Sequence, residues 1–224
     1  MAIDKQAFLQ ISEELKVKTV TLVAVSKTKP ASDILELYNL GQRDFGENYV
    51  QELVDKAAQL PTDIRWHFIG HLQSNKVKYI APFVHLIHGV DSLKLLKEIN
   101  KQAAKNNRTI DVLLQVHIAQ EETKFGFDAH ELQQLLQTQA AEVLGLSHVR
   151  VCGLMGMASF SDNTELVRSE FHNLKSVFDQ YKSHTTGNIQ LSILSMGMSG
   201  DYMTAIEEGS TLVRIGSLLF GARN

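Results

Sequence analysis

Short apolar, β-branched runs recur along the whole chain: Val20–Ser26, Asp44–Glu47, Arg65–Gly70, His85–Val90, Asp111–Ile118, Arg150–Met155, Gln190–Met196 and Leu212–Phe220. Each has strand length, and most are close to continuously apolar, as strands covered on both faces are. Between most of them the apolar positions switch to helical spacing. Ile34, Leu35, Leu37, Tyr38 and Leu40 follow the first run, and Leu93, Leu95, Leu96 and Ile99 follow the fourth, with Asp91-Ser92 as a cap. Leu132, Leu135 and Leu136 follow the fifth, and Leu166, Phe171, Leu174 and Phe178 follow the sixth. One more amphipathic helix, from Ala7 to Leu15, precedes them all.

Eight strands alternating with helices, at roughly 25–30 residues per unit, predict an α/β fold: a single (β/α)8 TIM-type barrel with an extra N-terminal helix. A doubly wound open sheet is the rival. It usually places a glycine-rich turn after its first strand, whereas Ser26-Lys27-Thr28-Lys29-Pro30 contains no glycine. The 224 residues suffice for one large core, and no Pro/Gly/Ser-rich linker interrupts them. One domain over residues 1–224 is expected.

Composition narrows the setting. Hydrophobic residues make up 44% and charged residues 21%, the balance of a globular protein in water. A net charge of −3 gives no electrostatic reason to expect nucleic acid or an anionic membrane as partner. Cys152 is the only cysteine, which fits a reducing compartment, and neither a signal peptide nor a membrane-spanning run is visible. A cytoplasmic protein is expected.

In such barrels the functional groups lie at the C-terminal strand ends, with phosphate beside strands 7 and 8. The first strand ends on Lys27, where an amine that loses hydration can attack a carbonyl, as a lysine holding an aldehyde cofactor would. The seventh runs into Ser195-Met196-Gly197-Met198-Ser199-Gly200-Asp201, and the eighth carries Arg214-Ile215-Gly216-Ser217. Glycine lets backbone approach an anion, and serine adds a donor without bulk. Arg214 alternates with Val213 and Ile215, so it faces either into the barrel or onto the helix layer. Asn48 ends the second strand within reach of a ligand. His67 and His71 resemble a metal pair, but four extended residues separate them by roughly 13 Å, and His85 and His88 would face opposite ways. No His/Cys cluster has ligand spacing, so no metal site is expected. Glu121-Glu122 and Glu207-Glu208 read as solvated charge and Cys152 as core.

Together, Ala24-Val25-Ser26-Lys27-Thr28-Lys29-Pro30, Phe45-Gly46-Glu47-Asn48-Tyr49-Val50-Gln51-Glu52, Trp66 to Lys76, Gly153-Leu154-Met155, Leu194 to Ser199 and Val213-Arg214-Ile215-Gly216 resemble the pyridoxal phosphate homeostasis protein family. The resemblance covers nearly the whole chain in the same order. That family is similar in fold to the barrel domain of alanine racemase and lacks its second, β-rich domain. The resemblance implies pyridoxal 5′-phosphate as cofactor, held as an aldimine by Lys27. It implies phosphate binding by Ser199, Gly216 and Ser217, with Met196 and Gly197 shaping the turn. Arg214 would face the pyridine nitrogen and Asn48 would lie beside the ring. His117 stands where the family pattern leads one to expect asparagine, and Phe125 fills a variable position, so the mouth of strand 5 departs from the pattern.

An arginine cannot pass a proton to the pyridine nitrogen, so the ring is a weaker electron sink than one protonated by an acid. Racemases of similar fold add a second base, a tyrosine from the second domain of a partner subunit. The sequence ends at Asn224, directly after strand 8, so that base has no evident source; Tyr49, Tyr79 and Tyr202 are the nearest substitutes. The resemblance therefore implies a non-enzymatic carrier that buffers or delivers the cofactor in vitamin B6 homeostasis, affecting amino-acid metabolism indirectly. Its partners would be the cofactor and the apo-enzymes that receive it, and a monomer is expected. The alternative is a small fold-type III amino-acid racemase. A barrel binding some other phosphorylated ligand, with Lys27 a bystander, is a third reading.

Overall fold

The computed structural model describes residues 3–120, 125–183 and 186–221. Helix α1 (Lys5–Val17) opens the chain, capped by the Asp4 carboxylate, which accepts from Ala7 N–H at 2.9 Å. Then β1 (Thr21–Val25), α2 (Ala31–Asn39), β2 (Asp44–Glu47), α3 (Val50–Ala57) and β3 (Arg65–Phe68) alternate. A 3₁₀ turn (Ser74–Lys76) leads into α4 (Val77–Ile80), β4 (Leu86–Val90), α5 (Leu93–Lys105) and β5 (Ile110–Gln115). Helix α6 (Ala129–Gln133) passes through a π turn (Gln134–Thr138) into α7 (Ala140–Leu144). The chain closes with β6 (Val149–Met155), α8 (Thr164–Lys182), β7 (Ile189–Met198), α9 (Tyr202–Glu207), β8 (Leu212–Ile215) and α10 (Ser217–Phe220). Ser92 caps α5 as its sequence predicts, accepting from Leu95 N–H at 3.3 Å.

All strands are parallel and pair in chain order, and β8 returns to β1 through Thr21 opposite Leu212 and Val23 opposite Arg214. The sheet is a closed (β/α)8 barrel, as the alternation predicts. Strand alternation sorts the side chains into two cores. Phe45, Trp66, Phe68, Ile87 and Leu114 point outward and pack beneath the helices. Val23, Leu86, Leu113, Cys152, Met155 and Leu212 form a smaller cluster that fills the lumen. Cys152 is thus a core residue, and burial raises its thiol to about 11. No helix among the described residues is long and apolar enough to cross a membrane.

One boundary differs in kind from the sequence pattern. Leu212–Phe220 reads as one strand, but β8 stops at Ile215, and Leu219 and Phe220 bond back to the Gly216 carbonyl as a helical turn. Both side chains are buried while Leu218 is exposed, so burial follows a helical arc and not strand alternation. Tertiary contact decides this: the Leu219 carbonyl accepts from Asp4 N–H at 2.8 Å, which ties the last turn to α1.

Candidate functional site

The C-terminal mouth of the barrel holds a cavity of about 550 Å³ whose lining includes Lys27, Asn48, Ser199, Arg214, Gly216 and Ser217. Six of the eight residues proposed from sequence therefore converge. Met196 and Gly197 do not line it. Met196 is buried beneath the helix layer, and Gly197 adopts φ +93 at the end of β7, where the strand gives way to the turn into α9. A Cβ there would lie 2.6 Å from that of Ala205, so the position demands glycine and acts only by shaping the turn.

Lys27 and Thr28 are the central residues of a tight turn closed by Lys29 N–H donating to the Ser26 carbonyl at 3.0 Å. Thr28 sits at φ +65, in the left-handed region that a β-branched residue avoids. The surroundings hold it there. Thr28 N–H donates to Glu52 Oε1 at 2.6 Å, and the Lys56 ammonium, almost wholly buried, donates to the Ser26 carbonyl, Glu47 Oε1 and Glu52 Oε1, each at 2.7 Å. The Ser26 hydroxyl also donates to Glu47 Oε1, at 2.6 Å. Glu47 Oε2 is buried without a hydrogen bond among the described residues, and burial pushes this carboxyl above its usual range. Lys27 therefore projects from a turn clamped from behind by buried charges. Sequence reading singled out Lys27 but missed this brace, because its members lie 4 to 30 residues apart in the chain.

Arg214 points into the barrel, which resolves the alternation ambiguity. Its guanidinium donates to the Ser195 carbonyl at 2.9 Å, the Ser195 hydroxyl at 2.6 Å and the Gly156 carbonyl at 3.1 Å. Burial lowers it to about 10, which still leaves it charged at neutral pH. Ser199 joins the two glycine loops by accepting from Gly216 N–H at 3.1 Å, and Ser217 is exposed beside it. The Asn48 side-chain oxygen is buried without a hydrogen bond among the described residues, though its residue lines the cavity. A buried orphan amide costs about 1–3 kcal/mol unless something fills its need. Gly70 makes this placement possible, since a Cβ there would lie 2.4 Å from the Asn48 carbonyl. Ile69, Met157 and Phe160 add apolar wall. A cationic guanidinium, an amine, an amide and a hydroxyl-lined glycine rim suit a flat, anionic ring bearing a carbonyl.

The histidines are arranged in a way their spacing did not predict. His67 and His88 are buried inside the barrel with Nδ1 and Nε2 2.9 Å apart. Asp44, His67 and His85 bring one ligand atom each within 4.8 Å of one another, a grouping drawn from three separate segments. Both Asp44 oxygens already accept from Arg65, and Oδ1 also meets His67 Nε2 at 3.0 Å, so a cation would have to displace a guanidinium. His71 lies apart from His67; it pairs with Asp91 at 3.2 Å and stacks on Phe125, ring centres 4.0 Å apart, at the mouth of β5. Glu121, Glu122 and Lys124 lie outside the described residues. Glu207 and Glu208 pair with Arg168 on the surface.

Residues 3–224 match the family described as "Alanine racemase, N-terminal domain". A pyridoxal phosphate homeostasis protein of Aquifex aeolicus is 46% identical over 203 residues, 90% of this chain and 86% of the relative. This chain belongs to that family. The homeostasis protein of Escherichia coli K12 is 41% identical over 92% of this chain and 86% of its own length. Among solved structures, PipY of Synechococcus elongatus PCC7942, described with PLP bound, aligns at TM-score 0.86 and 33% identity over 96% of this chain and 99% of PipY. Alanine racemase of Streptomyces coelicolor aligns at TM-score 0.75 and 16% identity over 99% of this chain and 60% of the enzyme, a likeness of fold alone. The family's barrel is thus the one that the strand pattern predicts here.

Proposed function

We propose that this chain binds pyridoxal 5′-phosphate at the C-terminal mouth of its barrel and serves vitamin B6 homeostasis by buffering or delivering it. The observation that carries the reading is the convergence of Lys27 and Arg214 on one 550 Å³ cavity rimmed by Ser199, Gly216 and Ser217. The PLP-bound PipY structure and the names of the relatives support the same cofactor. When bound, the cofactor supplies an aldehyde and an electron-withdrawing ring. Lys27 would hold the cofactor through its amine, and Arg214 would offer a donor to the ring that cannot protonate it. Asn48 would satisfy its orphan amide on the bound group, while Ser199, Ser217 and the backbone at Gly216 would hold the phosphate.

The same geometry supports binding without turnover. Besides Lys27 and Arg214, the described titratable residues on the lining are Lys29 and Asp201. Lys29 reaches across to donate to the Phe220 carbonyl at the end of α10 at 2.8 Å, and Asp201 accepts from Met198 N–H within its own turn, so both already hold backbone in place. A racemase needs a second base opposite its lysine, and the described lining includes no tyrosine to serve. The lone, buried Cys152 suits a reducing cytoplasm, and we propose that the chain acts there as a monomer passing cofactor to apo-enzymes.

The test is Lys27→Ala against the parent protein, each mixed with pyridoxal phosphate. The parent should develop the visible absorbance of lysine-bound pyridoxal and the variant should not, with circular dichroism unchanged. Persistence of the band in the variant would move the attachment to another lysine and sink the reading. Incubating the loaded protein with L- and D-amino acids in heavy water separates carrier from racemase. Lys27-dependent loss of α-proton signal would make it an enzyme.

A further inference from the structure

Inside the barrel, a polar path leads away from the cavity and none of its members touches the proposed ligand except Arg214. Asp44 Oδ1 meets His67 Nε2 at 3.0 Å, His67 Nδ1 meets His88 Nε2 at 2.9 Å, and His88 Nδ1 meets Ser195 Oγ at 3.2 Å. Ser195 Oγ in turn accepts from Arg214 at 2.6 Å. The path crosses four strands, β2, β3, β4 and β7, before it reaches β8. His67, His88, Ser195 and Arg214 are all at least 96% buried, whereas Asp44 lies at the rear mouth beside exposed His85 and half-exposed Arg65.

Each contact has room for one proton, so the directions are coupled. Asp44 is held to about 2 by the hydrogen bonds of Arg65 and His67, against the opposing effect of burial. As a carboxylate it can only accept, so His67 carries its proton on Nε2. His88 is fully enclosed, and burial first, then the charges of His67 and Arg214, disfavour its cation. A neutral imidazole has one donor and one acceptor. With His67 Nε2–H given to Asp44 and one proton at each contact, the arrangement that runs one way has His67 Nδ1 accept from His88 Nε2–H and His88 Nδ1 accept from the Ser195 hydroxyl. Ser195 oxygen is then free to accept from Arg214. The donors all run one way, from guanidinium to carboxylate.

We propose that Asp44, His67, His88 and Ser195 are positioning residues for Arg214, a one-way hydrogen-bond relay that aims the guanidinium at the cofactor from the rear mouth of the barrel. The proposal rests on the reading of Arg214 as partner of the ring nitrogen. Hydrogen bonds in such a chain polarise one another, so the far end is felt at the near one. A merely structural set of buried polar groups would show no such directional dependence.

The relay is read first without cofactor. Long-range ¹H–¹⁵N NMR of the apo-protein should find both His67 and His88 neutral and protonated on Nε2. Asp44→Asn supplies the sharpest test. Arg65 will claim the amide oxygen, so the amide N–H₂ faces His67 and forces the proton to Nδ1. His88 must then be protonated on Nδ1, and pyridoxal phosphate affinity should fall roughly fivefold, the factor of one hydrogen bond. Ser195→Ala should weaken the cofactor by a similar factor and leave the His67 tautomer in place, which keeps the test available if Asp44→Asn does not fold. A cationic His67 with His88 protonated on Nδ1 in the parent protein would overturn the relay, as would unchanged affinity in a folded Asp44→Asn or Ser195→Ala variant. Failure of the parent to bind pyridoxal phosphate, with the tautomers as expected, would instead overturn the reading of the cavity.

Discussion

The two cations at the mouth, Lys27 and Arg214, are held in opposite ways. Lys27 stands on a half-buried turn, clamped from behind by the charges of Lys56, Glu47 and Glu52. Arg214 is built into a strand and enclosed, and its hydrogen-bond partners among the described residues are two carbonyls and a hydroxyl. Under the proposed function Lys27 takes and releases an aldehyde and needs room to move its own chain, and the rigidity lies beneath it in the backbone. A guanidinium that only aims a donor can be immobilised outright, and neutral partners leave its donors turned toward the cavity. Reactive and orienting groups thus call for different supports.

That contrast can be broken at its charged side most strongly. Lys56→Met should leave Glu47 as an unpaired buried anion and destabilise the fold by about 3–5 kcal/mol in urea unfolding. The pair Lys56→Met with Glu47→Gln should recover much of this loss, because it removes the stranded charge. If Lys56→Met alone is neutral, the brace is not ionic. On the other side, Arg214→Met should weaken pyridoxal phosphate by about tenfold or more, seen by equilibrium dialysis. Its effect on stability should be only about 1–3 kcal/mol, since it leaves unpaired acceptors but no charge.

Acid should distinguish the two supports next. The folded state disfavours protonated His88, whose ordinary value is 6.5, so the unfolded chain binds the extra proton below that pH. Stability contributed by neutral His88 is therefore present above pH 6.5 and lost as pH falls beneath it. Asp44 adds a second loss as pH falls from 3.8 toward about 2, worth roughly 2 kcal/mol in all. Replacing His88 by Phe should flatten the first loss in a pH series of urea midpoints. An unchanged slope would show that another group titrates there. Smallest of all, Thr28→Gly should relieve the left-handed strain and raise stability by about 1 kcal/mol, a shift of a few degrees in thermal midpoint. A lower midpoint would mean that the threonine side chain contributes packing beyond the strain it carries.

Much of this architecture was legible one segment at a time. The strands announce themselves because a barrel strand is apolar on both faces, so β1, β4 and β6 are near-continuous hydrophobic runs. Lys27, Arg214 and the glycine loops were legible because they break those runs at their C-terminal ends. The last strand was overextended because Leu218, Leu219 and Phe220 suit a strand or a helical turn equally by composition. Only docking on α1 selects the turn.

Local order of apolar and polar residues was enough to determine an eightfold βα alternation, and hence the end of the barrel where Lys27, Asn48, Ser199, Arg214 and Gly216 meet. What surrounds those groups was decided by tertiary structure. Parallel pairing brings Gly46 beside His67 and seats His88, Ser195 and Arg214 in one lumen, though up to 107 residues separate the bonded pairs along that path. Pairing of β1 with β2 likewise sets Lys56, on α3, under the turn of Lys27. A one-dimensional pattern records which face of its own strand a residue occupies. Its hydrogen-bond partners across a closed barrel depend on register and inward direction together, and these exist only once every strand is in place.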